Sequence, residues 1–496
     1  MAEGSEVVFE DLENVQADTN NGDDVAMNAM FDQRKSARKV AVPTDDLLVR
    51  QRLREHDEPV TLFGEREPDR RMRLMAIVAE RGALGKKSRI EEQESDSEEE
   101  EFYTEGSNAL LESRRRIAAF SLPRAKLRLE QQRLEAKAPL SDIARVRKSI
   151  LQPLRNYSSL GSQVGGERPV SMVRFSPNSK LLATGSWSGK AAIWDVPNAS
   201  QQQEYDAHED RISGLAWHPQ STLSQSSKSV NLATGGGDNT VCLWSLDNQT
   251  ALRRLRGHEA RVARIAFHPM GAYLASSSFD GTWRLWDVES GTELLLQEGH
   301  SKEVYALDFQ CDGSLLASGG LDAIGRVWDC RTGRTSMVLD GHAREILSVA
   351  FAPNGYQIAT ASGDDTIRIW DMRKLDSIYT IPAHRSSVAD VRYYTDAGER
   401  AIVDRLSLSK GDSMELDMDQ STDETDLTMP VIRRSGMYLA SAGYDGLVKL
   451  WSADDWQLQA TLAGDSGKVM SVDISSDGRY LASGEWARTF KLWGEL

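Results

Sequence analysis

RIAFHPMGAYLASSSFDGTWRLWD, residues 264–287, alternates apolar and polar positions around two turns, HPMGA and FDGT. That pattern predicts three short strands joined by a hairpin and a tight turn. The segment closes on Trp286, and six other tryptophans close similar strands: AAIW at Trp194, VCLW at Trp244, GRVW at Trp328, IRIW at Trp370, VKLW at Trp451 and FKLW at Trp493. Successive spacings are 50, 42, 42, 42, 81 and 42 residues, so the period is 42. The two long intervals carry insertions, one around QSTLSQSSKSV and one over residues 396–434. Self-similarity at about 40–45 residues with four strands per unit marks a β-propeller blade. Seven units predict an all-β, seven-bladed ring over residues 158–496, preceded by a mostly helical or disordered arm.

Each unit carries further fixed points. His258, His300 and His342 lie 28 residues before their tryptophan, and His208 and His384 take the same role, displaced by the insertions. Asp238, Asp280, Asp322, Asp364 and Asp445 lie six residues before Trp244, Trp286, Trp328, Trp370 and Trp451. This arrangement resembles the WD-repeat family, in which the His, a Ser or Thr, the Trp and the Asp form a buried hydrogen-bond chain. Buried polar groups are costly unless paired, so such a chain fixes one blade geometry. It is expected in blades two to six. Gly166 and Ser188 in blade one, and Asp465 and Ala487 in blade seven, interrupt it at the seam. Five repeated His–Asp pairs read as structure rather than as five active sites. Only three residues follow Trp493, so blade seven needs a strand from elsewhere. Counting back by the repeat places it near Ser158–Ser162, where it would hide two open sheet edges.

Up-and-down order puts the His connections and Asp turns at one end of the ring and both insertions at the other. Near the His positions each blade carries a cation: Arg168, Arg211, Arg261, Lys302, Arg344, Arg385 and Lys468. This collar suits acidic protein or phosphate, although Glu209, Asp210, Glu259, Glu303 and Glu345 interleave with it. Trp187, Tyr444 and Trp486 precede the turn position in blades one, six and seven. They are either interface anchors or rings that fold inward to seal imperfect blades.

The formal charge is −16, from 59 Lys and Arg against 75 Asp and Glu, which excludes a uniformly basic nucleic-acid coat. Three cysteines without metal-ligand spacing exclude a zinc cluster or disulfide framework, and no metal or cofactor is expected. The acidic start lacks a secretory core, and no apolar run approaches a membrane span. Neither GALGKKS nor GSWSGKA has the spacing of a phosphate loop.

Residues 1–40 are polar and read as disordered. Residues 41–82 contain Thr44 before DD and an apolar run, predicting two short helices split by EPVTLFGE. Residues 83–111 form an acidic linker; eight of residues 91–101 are acids, and Ser95 and Ser97 among them suit an acid-directed kinase. Residues 112–157 are a basic segment, with 12 Lys and Arg against 4 Asp and Glu over 112–155. A helix broken near Pro123 is expected here, ordering on a partner through Arg114, Arg115, Arg116, Ile117, Phe120, Leu127 and Leu134. A basic helix lying on the propeller's own acidic flank is the plainer reading.

PTDDLLVRQRLREHDEPVTLFGE followed by FSLPRAKLRLE and seven repeats is similar to the pre-mRNA-processing factor 4 family of the spliceosomal U4/U6 small nuclear ribonucleoprotein. The resemblance implies a nuclear, non-enzymatic scaffold of the U4/U6 and U4/U6·U5 particles. Implied partners are a pre-mRNA-processing factor 3 type protein, a small nuclear cyclophilin docking on residues 112–137, other tri-snRNP proteins, and U4/U6 RNA, mainly indirectly. The competing readings are a direct RNA binder and an adaptor of another complex, such as a ubiquitin ligase.

Overall fold

A computed structural model describes residues 46–56, 58–60, 70–75, 77–78, 106–399, 403, 432–464 and 467–495. The chain divides into two compact units, residues 1–104 and 105–496. Residues 1–40, Ser95 and Ser97, most of the 396–434 insertion, Thr44 and Asp465 lie outside the described residues.

The larger unit holds seven four-stranded antiparallel sheets. Blade one is β2 (Val170–Phe175), β3 (Leu181–Ser186), β4 (Lys190–Asp195) and β5 (Gln201–Asp206), ordered from the channel outward. The other inner strands are β6 (Ile212–Trp217), β10 (Val262–Phe267), β14 (Val304–Phe309), β18 (Ile346–Phe351), β22 (Val388–Tyr393) and β26 (Val469–Ile474). Strand β2 contacts both β6 and β26, which closes the ring. Every residue of β2 is buried, whereas β5 at the rim is mostly exposed. The inner strand meets neighbours on both sides, so its polar residues, such as Ser171 and Arg174, have to find partners inside the ring; the rim strand faces water. The apolar core is divided accordingly into seven clusters, one at each blade junction.

Blade seven consists of β26, β27 (Tyr480–Glu485), β28 (Thr489–Glu495) and, from the other end of the unit, β1 (Tyr157–Val164). Strand β1 pairs with β28 from Tyr157↔Glu495 to Val164↔Thr489, so the strand expected near Ser158–Ser162 does complete the sheet. In all seven blades one residue of the inner strand is skipped in pairing, for example Ser171, Tyr305 and Ala389. Such bulges sharpen the local twist and re-aim the side chain of the skipped residue.

The arm departs from expectation. One helix, Asn108–Glu135, capped by Ser107, runs unbroken through Pro123. A proline inside a helix costs about 3 kcal/mol; here tertiary contacts offset it. Ile117 is fully buried in the cluster joining blades three and four, and Leu127 is buried too. Arg128 bonds Asp312 at 2.7 Å and the Asn354 carbonyl at 3.1 Å, and Gln132 reaches the same carbonyl at 2.8 Å. Phe120 lies 5.7 Å from the His268 ring. A second helix, Leu140–Leu154, buries Leu151 and Leu154 beside Tyr157, Tyr438 and Trp493, while Arg147 pairs with Asp455 at 2.5 Å. Residues 112–157 therefore order on the chain's own propeller, and the expectation of a separate segment awaiting a partner is corrected. Its arginines find acids on turns of blades four and six. Ile117 and Leu127 are consumed internally; Arg115, Arg116 and Leu134 stay exposed, and Arg114 lies against Gly333.

His268 beneath this helix is buried and neutral. Its Nε2–H donates to the Gly313 carbonyl at 2.8 Å, and its Nδ1 accepts from Met270 N at 3.1 Å. Burial pushes its pKa down to about 4, and His218 is likewise pushed down to about 4. In the unfolded chain both titrate near about 6.5. Between those values the unfolded state binds the extra protons, so these two groups subtract stability as pH falls through this window. The slope is up to about 1.4 kcal/mol per pH unit for each histidine. Urea denaturation at several pH values should show a shallower slope for His268→Gln than for the parent; equal slopes would refute the assignment.

In the smaller unit the helix Asp46–Glu55 buries Val49 and Leu53 with Leu74, with Ile77 and Val78 packed against them. Residues 70–75 and 77–78 are helical, in line with two short helices, whereas Leu48 and Met72 face water.

Candidate interaction surfaces at the channel mouths

In blade five the Trp370 indole N–H donates to Thr360 Oγ1 (2.9 Å), Thr360 Oγ1 lies 2.7 Å from His342 Nε2, and His342 Nδ1 lies 2.8 Å from Asp364 Oδ2. Since the Asp accepts, the His carries its proton on Nδ1, and the Thr hydroxyl donates to Nε2. The same chain joins Trp244, Thr234, His208 and Asp238; Trp286, Ser276, His258 and Asp280; Trp328, Ser318, His300 and Asp322; and Trp451, Ser441, His384 and Asp445. Burial pushes the Asp280 carboxyl up, but hydrogen bonds from His258 and Thr282 outweigh it and hold the group below the usual carboxylate range. This Asp–His–hydroxyl order has the connectivity of a catalytic triad. Each hydroxyl is nevertheless buried and already accepts an indole N–H, so no substrate reaches it.

Blades one and seven keep only half of it. Trp194 donates to Thr184 and Trp493 to Ser483, each at 2.9 Å. In blade seven Glu485 and Lys491, both buried, pair at 3.4 Å, and Glu485 abuts Gly464. In blade one Ser188 and Ser186 hydrogen-bond one another at 3.1 Å.

Around this mouth the sequence-derived aromatics and cations meet. Trp187 and Trp486 contact edge to face, centroids 4.9 Å apart. Lys468 Nζ sits 5.3 Å from the Tyr444 ring and 5.5 Å from Trp486, and Arg211 lies 5.7 Å over Trp187. Arg261 stacks on Phe279 at 3.5 Å, and Phe279 approaches Tyr305. Phe279 and Tyr305 are additions to the sequence reading. Phe279 shares the column of Trp187, Tyr444 and Trp486, and Tyr305 is the bulge residue of blade four. Arg168, Lys302, Arg344 and Arg385 are exposed around the same rim, and among the described residues none of them stacks on a ring in this way.

The other mouth opens into a cavity of about 370 Å³ whose lining includes the inner-strand ends Phe175, Trp217, Phe309 and Tyr393 and the arm residues Arg124 and Arg128. Deeper, Arg174 donates to Asp390 at 3.1 Å. The buried thiols of Cys242 and Cys330 are pushed by burial up to about 11 and about 12, too high for a reactive thiolate at neutral pH. Among the described residues no group of three His, Cys, Asp or Glu is placed to hold a metal, and no helix is long and apolar enough to cross a membrane.

A closed ring whose polar side-chain chains are buried as structure, with aromatic and charged groups gathered at its mouths, defines a non-enzymatic WD-repeat propeller protein. Residues 49–77 match the family described as pre-mRNA processing factor 4 (PRP4) like, and WD domain, G-beta repeats match from 158–195 through 456–494. The chain is 35% identical over 496 residues to U4/U6 small nuclear ribonucleoprotein PRP4 of Saccharomyces cerevisiae, covering 97% of each chain. It is 42% identical over 205 residues to U4/U6 small nuclear ribonucleoprotein Prp4 of Homo sapiens, which is 40% of this chain and 39% of that one. An uncharacterized WD repeat-containing protein of Schizosaccharomyces pombe is 43% identical over 188 residues, 38% of this chain and 41% of that one. These two matches span about two fifths of each relative's length. The chain belongs to the PRP4 family.

Proposed function

We propose that this chain is a non-catalytic scaffold of the U4/U6 small nuclear ribonucleoprotein, acting in the nucleus in pre-mRNA splicing. The observation that carries this reading is the end-to-end 35% identity with a relative named for that particle, joined to the motif at residues 49–77. A rigid ring suits the role, because seven blades present two mouths and a long rim at fixed mutual positions, and binding then costs little ordering of the platform itself. The partners proposed are a pre-mRNA-processing factor 3 type protein, a small nuclear cyclophilin and other tri-snRNP proteins, with RNA held mainly through them. Ile117 and Leu127 lie against the propeller, so any partner of the long helix meets its outer face, where Arg115, Arg116 and Leu134 stand exposed.

Affinity purification of the tagged full-length chain from nuclear extract, followed by RNA sequencing and mass spectrometry, should recover U4 and U6 RNA with a common set of proteins. Recovery of neither RNA would overturn the proposal.

A further inference from the structure

The blades that lack the His–Asp pair are neighbours, seven and one, and both carry tryptophan at the position before the turn. In blades two to six the turn aspartate is committed to holding its histidine; Ala487 and Ser188 hold none. Freed from that duty, the two turns bring Trp486 and Trp187 into contact at the mouth. Departures from a repeated structural rule concentrate where function demands them. Trp486 is 44% exposed, the one tryptophan among the exposed large apolar residues described.

The cations around this pair are not ion-paired. Arg168, Lys468 and Arg488 are exposed and Arg211 is half-buried, and among the described residues none has a carboxylate within ion-pair distance. Lys468 and Arg211 rest instead on the faces of Tyr444, Trp486 and Trp187. A cation laid on a ring is oriented but not neutralised, so it keeps its attraction for an anion. By contrast Lys190, on the outer side of the same blade, is matched by Glu204 at 3.0 Å.

We infer that the seam of blades six, seven and one is a docking site for an extended, acidic peptide segment of a partner protein. An apolar or aromatic side chain of that segment packs on Trp486 and Trp187, and its carboxylates meet Lys468, Arg211 and Arg488. Trp, Tyr and Arg are the residues most enriched in interface hot spots, and all three types meet at this seam. The charge pattern favours a peptide over RNA. Glu167, Glu209 and Asp210 interleave with the cations, and the chain is formally −16. Evenly spaced phosphates would run onto those acids, whereas a peptide places its carboxylates selectively. This rests on the scaffold reading and names the chemistry of one of its partners.

The test uses the full-length chain with the photo-crosslinker p-benzoylphenylalanine in place of Tyr444. It is assembled in nuclear extract, irradiated, and its adducts are sequenced by mass spectrometry. The expected adduct is one recurrent peptide rich in Asp and Glu with an apolar or aromatic residue, and Trp486→Ala or Lys468→Glu should reduce it about tenfold or more. U4 and U6 RNA are measured in the same samples. If they are recovered but the adduct is RNA, a basic peptide, absent, or unchanged in both variants, the docking site is wrong while the scaffold stands. If neither RNA is recovered, the scaffold reading itself fails. Thermal melting of both variants alongside the parent shows that the ring is intact.

Discussion

A chain that begins at Val170 is expected to aggregate, whereas one that begins at Gly106 stays soluble and monomeric. The shorter chain loses β1, so the outer edge of β28 from Thr489 to Glu495 is left unpaired along a seven-residue strand. It also loses Leu151, Leu154 and Tyr157, which are buried in the cluster joining blades six and seven with Tyr438 and Trp493. Burying one such side chain contributes about 1.5–3 kcal/mol. Three together rival the total stability of a typical domain, about 5–15 kcal/mol. The Tyr157 hydroxyl, moreover, donates to the Gly478 carbonyl at 2.5 Å and fixes the entry of β1 into the sheet. An open, flat strand edge is a template for pairing with other copies, so the expected failure is association rather than simple unfolding. Size-exclusion chromatography of both chains decides it; a monomeric, cooperatively melting chain from Val170 would show that closure by β1 is dispensable.

The ring was legible because its information is local and repeated. Trp244 to Trp370 recur every 42 residues, and each blade writes its own strands, turns and hydrogen-bond chain within one period. Even the closing strand followed, since a sheet needs its fourth member. What the sequence hid is non-local. Pro123 signals a break, and only the sockets for Ile117, Phe120 and Arg128 on three different blades explain why the helix continues. Phe279 escaped notice because blade three is otherwise regular, so nothing marked its column as special. Arg174 and Asp390 are 216 residues apart, in blades one and six, and no periodicity links them.

That pair underlies the second large effect: Asp390→Ala should destabilise the ring by about 3–5 kcal/mol, the usual consequence of stripping one partner from a buried ion pair. Both side chains are almost fully buried, 8% and 1% exposed. Asp390 accepts from Arg174 of blade one, from Ser348 of blade five at 2.9 Å, and from Ser471 and Val472 N of blade seven at 2.8 and 3.2 Å. One carboxylate on blade six thus ties three other blades together across the channel. Burial raises its pKa, but the charges of Arg174, Arg392 and Arg264 outweigh that and hold it below the usual range. Its contribution is therefore complete above about pH 4 and is lost as pH falls below that value. With alanine, the Arg174 guanidinium keeps hydrogen bonds to the Val173 and Val472 carbonyls and the Ser471 hydroxyl but loses its directly paired carboxylate, and Asp473 and Asp308 act on it only through longer-range attraction. The double variant Arg174→Met/Asp390→Leu removes both charges and should lose less than Asp390→Ala alone, because neither member of the pair is left buried without the other. Urea denaturation at pH 7 reads both. A cost below about 1 kcal/mol for Asp390→Ala, or a double variant worse than the single, would mean that the blades do not depend on this carboxylate.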